Sequence, residues 1–222
     1  MTKLLPHLEI ETNPNPNASV IWLHGIGADG HDFEPIVAQL GLPDTAAIRF
    51  IFPHAPSIPV TINSGFVMPA WYDILEMSIE REVDQVQLKN SANAIVAFIE
   101  TEMSRGVTSD RIIIAGFSQG GAVAIETALS YQHQLAGLLL MSTYFATKDT
   151  IDLAPQNRAL PIAIQHGQFD PVVPISLSEV SAKFLEQHGY KVEVKTYPME
   201  HSVCPQQIDD ISTWITKCLQ LD

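Results

Sequence analysis

Short runs in which nearly every residue is apolar recur along the chain, and polar or periodic segments separate them. Val20–Leu23, Ile48–Phe52, Leu135–Met141 and Ile162–Gln165 are such runs, Arg111–Ala115 carries three consecutive isoleucines, and Val192–Tyr197 is a further β-rich run with polar residues interleaved. Runs without polar alternation read as strands buried on both faces, as in a mostly parallel sheet. The spacing predicts helices over 80–104, 119–131, 176–188 and 206–219. In the first, Val83, Val86, Ile95, Phe98, Ile99 and Met103 keep a helical period across a polar interruption. Gly106 then supplies a stop. The third ends in His188-Gly189, a natural C-cap. Asn13-Pro14-Asn15-Pro16-Asn17 reads as a turn between two early elements. Strands alternating with helices predict an α/β fold, a mostly parallel central sheet with helices on both faces. With no internal repeat, low-complexity run or Gly/Ser linker, residues 1–222 are expected to form a single domain. In such sheets the ligand crevice lies outside the carboxyl ends of the strands, so the chemistry belongs on loops that follow strands.

Three post-strand loops carry reactive residues. Gly116-Phe117-Ser118-Gln119-Gly120 stands between a predicted strand and a predicted helix. This is G-x-S-x-G in the strand–turn–helix setting of a nucleophile elbow. A serine hydroxyl needs a general base, and in this architecture the acid and then the base follow the serine along the chain. Of the downstream histidines, His133 reads as surface, His166 as packing or a backbone cap, and His188 as a helix terminus where imidazole suits the dipole. His201 lies in the loop between the last strand and the last helix and is the candidate base. Asp149 and Asp152 sit in a polar connection. Asp170 follows a strand directly, in a loop stiffened by Pro171 and Pro174, and is the candidate acid. Its role is to accept the His201 Nδ1–H, fix the tautomer and stabilise the imidazolium.

The tetrahedral intermediate of acyl transfer needs N–H donors. The Gln119 backbone N–H at the start of the elbow helix is one candidate. The Ile26 N–H, in His24-Gly25-Ile26-Gly27 after an early strand, is the other, with His24 read as a structural hydrogen-bonder. These glycines lack the Lys and spacing of a phosphate-binding P-loop. Ligand spacing for a metal is also missing, so neither metal nor cofactor is expected. Residues 53–79 form a long apolar connection with four prolines and Gly65, and loops of that length are usually functional. Trp71 is expected to anchor it and is also a candidate substrate-binding residue. Ile62, Phe66 and Met68 are expected to belong to a mobile flap over the Ser118 crevice, lining an acyl groove with Val172 and Val173 opposite.

Composition narrows the partners. Charged residues make up 17% of the chain, against roughly 25% in an average domain, and 46% of residues are hydrophobic, which excludes a disordered chain. A formal net charge of −13 repels phosphate and argues against nucleic acid. Two cysteines cannot staple a chain of this size. The N-terminus lacks the apolar core of a secretory signal and no run approaches 18 apolar residues, so a cytoplasmic location without a transmembrane segment is expected.

Taken together, Trp22-Leu23-His24-Gly25-Ile26-Gly27, Phe52-Pro53-His54-Ala55-Pro56, Trp71-Tyr72-Asp73, Gly116-Phe117-Ser118-Gln119-Gly120-Gly121-Ala122, His166-Gly167 with Asp170-Pro171-Val172-Val173-Pro174, and Tyr197 with His201-Ser202 resemble the carboxylesterase/acyl-protein thioesterase family of small α/β-hydrolases. The resemblance runs nearly end to end. It implies an α/β-hydrolase fold with little or no lid, Ser118, Asp170 and His201 as a triad, and Ile26 and Gln119 as oxyanion donors. It also implies fatty acyl esters or thioesters as substrates, homodimers, and transient contact with membranes. Gly27-Ala28-Asp29, where many eukaryotic members have Gly-Asp directly, is similar to a bacterial-type branch. The expected activity is hydrolysis of carboxylic esters of short-to-medium acyl chains through an acyl-enzyme on Ser118. Acyl-protein thioesterase or lysophospholipase activity with the same triad is the alternative. A binding module that kept the fold and lost catalysis is the alternative of another class.

Overall fold

A computed structural model describes residues 4–76 and 81–221. Its centre is a seven-stranded sheet built from β1 (His7–Glu11), β2 (Ala18–Leu23), β3 (Ile48–Pro53), β8 (Ile112–Phe117), β9 (Gly137–Met141), β10 (Ile162–Gly167) and β11 (Val192–Tyr197). The order across the sheet is β1-β3-β2-β8-β9-β10-β11. Only β1 runs antiparallel, against β3; the other neighbours are parallel. From β2 the chain steps outward to β3, then returns to place β8 on the other flank. The order therefore reverses between β2 and β8, and that switch point is where open α/β sheets place their ligand crevice.

The apolar runs explain the layers. Successive strand side chains point to opposite faces. Ile112 and Ile114 join Leu138, Leu140, Ile162 and Ile164 on one face, covered by α2 (Gln85–Ser104), α3 (Gln119–Ser130) and α4 (Ile175–Gln187). Ile113, Ala115, Leu139, Met141 and Ala163 point the other way, beneath α5 (Pro205–Leu219) and the short α1 (Ile36–Gln39). Helix α3 is buried from Gln119 to Leu129, as expected of a helix apolar almost all round.

The 80–104 helix expected from periodicity starts later. Asp84 caps α2, its carboxylate accepting the Gln87 N–H at 2.9 Å. Arg81 stands at φ +51, in the left-handed region that ends a helix rather than continuing one. Position 80 lies outside the described residues, as do 77–79 of the 53–79 segment. The rest of that segment is not a structureless loop. β4 (Ser57–Val60) and β5 (Phe66–Pro69) form an antiparallel hairpin, and β6 (Ile74–Glu76) pairs with β7 (Glu82–Val83). Its turn is made by Ser64 at φ +57 and Gly65 at φ +74. Pro59 and Pro69 are tolerated because a two-stranded ribbon has only edge strands.

At the amino ends of the parallel strands, Glu102 of α2 is fully buried. It accepts hydrogen bonds from Ser19 Oγ, from Arg49 Nη1 at 2.7 Å and from Arg105 Nη1 at 3.0 Å. A carboxylate buried this deeply persists because it is multiply paired. It lies at the end of the sheet remote from the post-strand loops and therefore serves the fold.

Candidate active site

Ser118 sits between β8 and α3 at φ +53, ψ −121, a conformation that costs a non-glycine residue of order 1–3 kcal/mol. Three features hold it there. Its N–H donates to Met141 O at 2.9 Å, its carbonyl accepts the Thr143 hydroxyl at 2.6 Å, and the elbow helix lies very close to the neighbouring backbone. A methyl group at Gly120 would collide with the carbonyl oxygens of Leu23, at 2.6 Å, and His24. Only glycine lets α3 pack directly on the loop after β2.

His201 and Asp170 reach Ser118 from the ends of β11 and β10. Gln168 N–H donates to Tyr197 O at 2.8 Å and Phe169 N–H to Met199 O at 3.1 Å, so the two loops are joined backbone to backbone. Gly167 permits this, since a Cβ there would lie 2.5 Å from Met199 O. His201 Nε2 is 3.0 Å from Ser118 Oγ, and Nδ1 is 2.7 Å from Asp170 Oδ2. A carboxylate only accepts, so Nδ1 carries the proton and Nε2 is free to accept the serine O–H. The Phe117 ring lies against the imidazole at 4.7 Å between centroids. Ser118 and Asp170 are buried and His201 is half-buried.

Asp170 is heavily supported. Oδ1 accepts the N–H groups of Val172 at 2.9 Å and Val173 at 2.8 Å. Burial pushes its pKa up, but hydrogen bonds from His166 and His201 and from the Val173 N–H outweigh that and hold it well below the usual carboxylate range. His166 Nε2 lies 2.8 Å from Val173 O and 3.4 Å from Asp170 Oδ2. The strand-end reading of His166 as a backbone cap therefore describes its bond to Val173, but not its second contact with the carboxylate. Arg81 is a further participant that no motif signalled. It donates to Val172 O and stacks over Tyr144, 4.9 Å from the ring centroid. Tyr144 shares a hydrogen bond of 2.8 Å with Tyr72. Behind this loop opens a cavity of about 570 Å³, lined by Arg81, Tyr144, Phe145, Leu177 and Val180 among others.

Among the described residues, neither the Ile26 N–H nor the Gln119 N–H has a protein acceptor. Gly25 packs on the serine: a Cβ at that position would stand 3.4 Å from Ser118 Cβ. The residues expected to line an acyl groove divide into two groups. Phe66 and Val172 are 71% and 43% exposed. Met68 borders the Ile26 loop, its sulfur 3.9 Å from a Cβ built at Gly27, and Ile62 is half-buried against the core. Trp71 and Val173, by contrast, are fully buried. The Trp71 indole donates to His24 O at 2.9 Å, so it braces the hairpin root rather than a groove wall. Val173 is turned inward by the tight turn around the Asp170 carboxylate. No group of three or more His, Cys, Asp or Glu among the described residues could hold a metal, and no described helix is long and apolar enough to cross a membrane.

Comparison with known proteins gives concordant matches. A model of the phospholipase/carboxylesterase family matches residues 6–219. Acyl-protein thioesterase 1 of Neurospora crassa is 36% identical over 225 residues, covering 96% of this chain and 92% of that protein. Acyl-protein thioesterase 1 of Cryptococcus neoformans is 33% identical over 242 residues, covering 99% of this chain and all of that protein. The crystal structure of Zea mays acyl-protein thioesterase 2 superposes with a TM-score of 0.85 at 26% identity, covering 97% of this chain and 99% of that one. These are fungal and plant proteins, and the bacterial-type branch suggested by Gly27-Ala28-Asp29 is not supported by them.

Proposed function

The chain belongs to the phospholipase/carboxylesterase family of α/β-hydrolases and is a serine hydrolase, and from that premise we propose that it cleaves fatty acyl esters and thioesters through an acyl-enzyme on Ser118. The observation that carries this is the continuous chain of contacts Ser118 Oγ–His201 Nε2, 3.0 Å, and His201 Nδ1–Asp170 Oδ2, 2.7 Å. In this mechanism Ser118 Oγ attacks the acyl carbonyl carbon while its proton passes to His201 Nε2. Asp170, ionised, stabilises the imidazolium. The carbonyl oxygen, now an oxyanion, is met by the Ile26 and Gln119 N–H groups. Collapse expels the alcohol or thiol, which takes the proton from His201. Water then attacks the acyl-serine, gives its proton to the same nitrogen, and the acid leaves as Ser118 recovers its hydrogen. We take residues 1–222 to work as one catalytic domain.

The acyl chain is assigned to the β4–β5 hairpin. Between Ser57 and Tyr72 no residue is charged, and Phe66 and Val67 are 71% and 61% exposed beside the crevice-bordering Met68. Exposed side chains of this kind favour an apolar substrate, and each methylene buried there is worth about 0.8 kcal/mol, a factor of about four. The acyl-protein thioesterase reading has its own support in the two fungal relatives that carry that name over nearly their whole length. Transient contact with membranes and homodimer formation are further expectations of the same reading, as is a cytoplasmic location.

A matched panel tests the proposal: acetyl and octanoyl groups, each as an oxygen ester and as a thioester. Octanoyl substrates of both kinds are expected to give the higher kcat/KM. With a shared acyl-enzyme, kcat for the octanoyl ester and thioester should converge when deacylation is slow. Preference for acetyl groups, or failure to cleave the octanoyl thioester, would contradict the substrate assignment.

A further inference from the structure

In the loop that packs on Ser118 through Gly25 lies a histidine that the mechanism leaves unused. His24 is buried, and both of its ring nitrogens meet the backbone. Nδ1 lies 2.7 Å from Gly25 O, which can only accept. Nε2 accepts the Ala55 N–H at 3.1 Å. Together these partners admit one form, the neutral ring with its proton on Nδ1. Burial favours the same form, lowering the pKa of the imidazole against the opposing pull of its bond to Gly25.

The Gly25 carbonyl is one end of a peptide unit whose other end is the Ile26 N–H. No cis peptide occurs among the described residues, so the two groups point in opposite directions from one rigid plane. Fixing the oxygen fixes the hydrogen. The same oxygen is approached by the Ala28 N–H at 3.3 Å, which closes the turn around it.

The ring is braced in its turn. It packs on Trp71 with centroids 5.1 Å apart, and the Trp71 indole holds His24 O. The Trp71 N–H donates to Gln119 Oε1 at 2.8 Å, and Gln119 Nε2 donates to Tyr72 O at 2.7 Å. The two residues whose N–H groups lack protein acceptors, Ile26 and Gln119, are thus cross-linked through the root of the apolar hairpin.

We propose that His24 is a positioning residue of the oxyanion hole, its Nδ1–H holding the Gly25–Ile26 peptide so that the Ile26 N–H faces the acyl oxygen bound at Ser118. This rests on the acyl-enzyme reading above and adds a specific side chain to it. The ring touches neither substrate nor reacting atoms, and it acts through one peptide plane.

Three variants separate this role from packing. His24→Phe keeps the ring volume and loses both hydrogen bonds. His24→Asn places an amide N–H where Nδ1–H stood, and His24→Gln reaches only towards the Nε2 position. The readouts are kcat and KM for nitrophenyl octanoate per titrated active site, and the inhibition constant of an alkyl trifluoromethyl ketone. Its serine adduct carries the oxyanion. His24→Phe and His24→Gln are expected to lower kcat roughly 10- to 100-fold, to leave KM within about twofold, and to weaken the ketone by a factor similar to the loss in kcat. His24→Asn should recover a large part of both. Should His24→Phe fail to fold, the Asn–Gln pair carries the comparison alone. Equal kcat in those two variants, or wild-type ketone affinity in His24→Gln, would overturn the proposal. If the wild-type enzyme formed no ketone adduct at Ser118, the acyl-enzyme reading would fall instead.

Discussion

Asp170 has to remain a carboxylate while its neighbour changes charge. Burial alone would raise its pKa, yet bonds from His166, His201 and the Val173 N–H hold it well below the ordinary range. The sign of the linkage follows. Unfolded, an aspartate titrates near pH 3.9, so above that value its ionised form adds to stability. That contribution is lost as pH falls towards the lower value of the folded state. For catalysis, Asp170 keeps its charge well into the acid range, so it should add no ionisation of its own to the acid limb of log kcat/KM against pH, whose slope is expected to be about one. A slope of two would mean that the carboxylate titrates within the working range. Much of this site is legible residue by residue, because the G-x-S-x-G turn and the polar residues after strands are local signals. The position of Val173 is not. It is an apolar residue near a reactive loop, and whether such a side chain faces a crevice or the core depends on packing far away in sequence, while Trp71, the expected anchor, is fully buried. Arg81 meets the Asp170 loop only through tertiary contact, which no spacing encodes, whereas His166, four residues before Asp170, meets it through the fold of the loop itself.

At the scale of elements, the central strands could be read because burial on both faces makes them continuously apolar. The β4–β5 hairpin could not. Its apolar side chains do not alternate with polar ones, its prolines argue against a strand, and it stands outside the main sheet where a ribbon of two edges tolerates them. The turn at Ser64-Gly65 was the available clue. This hairpin is the element on which chain-length selection is expected to depend. Phe66→Ser replaces a side chain that is 71% exposed and so should leave folding largely intact. If the acyl chain lies against it, kcat/KM for octanoyl esters should fall by about 10-fold or more, while acetyl esters change less than about twofold. Equal losses on both would indicate a folding defect, and an unchanged octanoyl rate would place the chain elsewhere.

Over the whole molecule, the alternation of strands and helices identifies an α/β fold but not the order of strands. The order depends on which crossover passes over which face, and that is settled by the two apolar layers together. The result places stability and chemistry at opposite ends of the sheet. Glu102 with Arg49 and Arg105 secures the amino ends, and the loops after β2, β8, β10 and β11 meet at the carboxyl ends, around the β2–β8 switch point. The central claim is that this convergence makes one serine nucleophilic. It is tested most directly by treating the enzyme with an alkyl fluorophosphonate and locating the adduct by peptide mass spectrometry as activity disappears. One label per chain, on Ser118, rising in step with the loss of ester hydrolysis is the expected result. Inactivation with the label on any other residue, or full inactivation with Ser118 unmodified, would contradict the account.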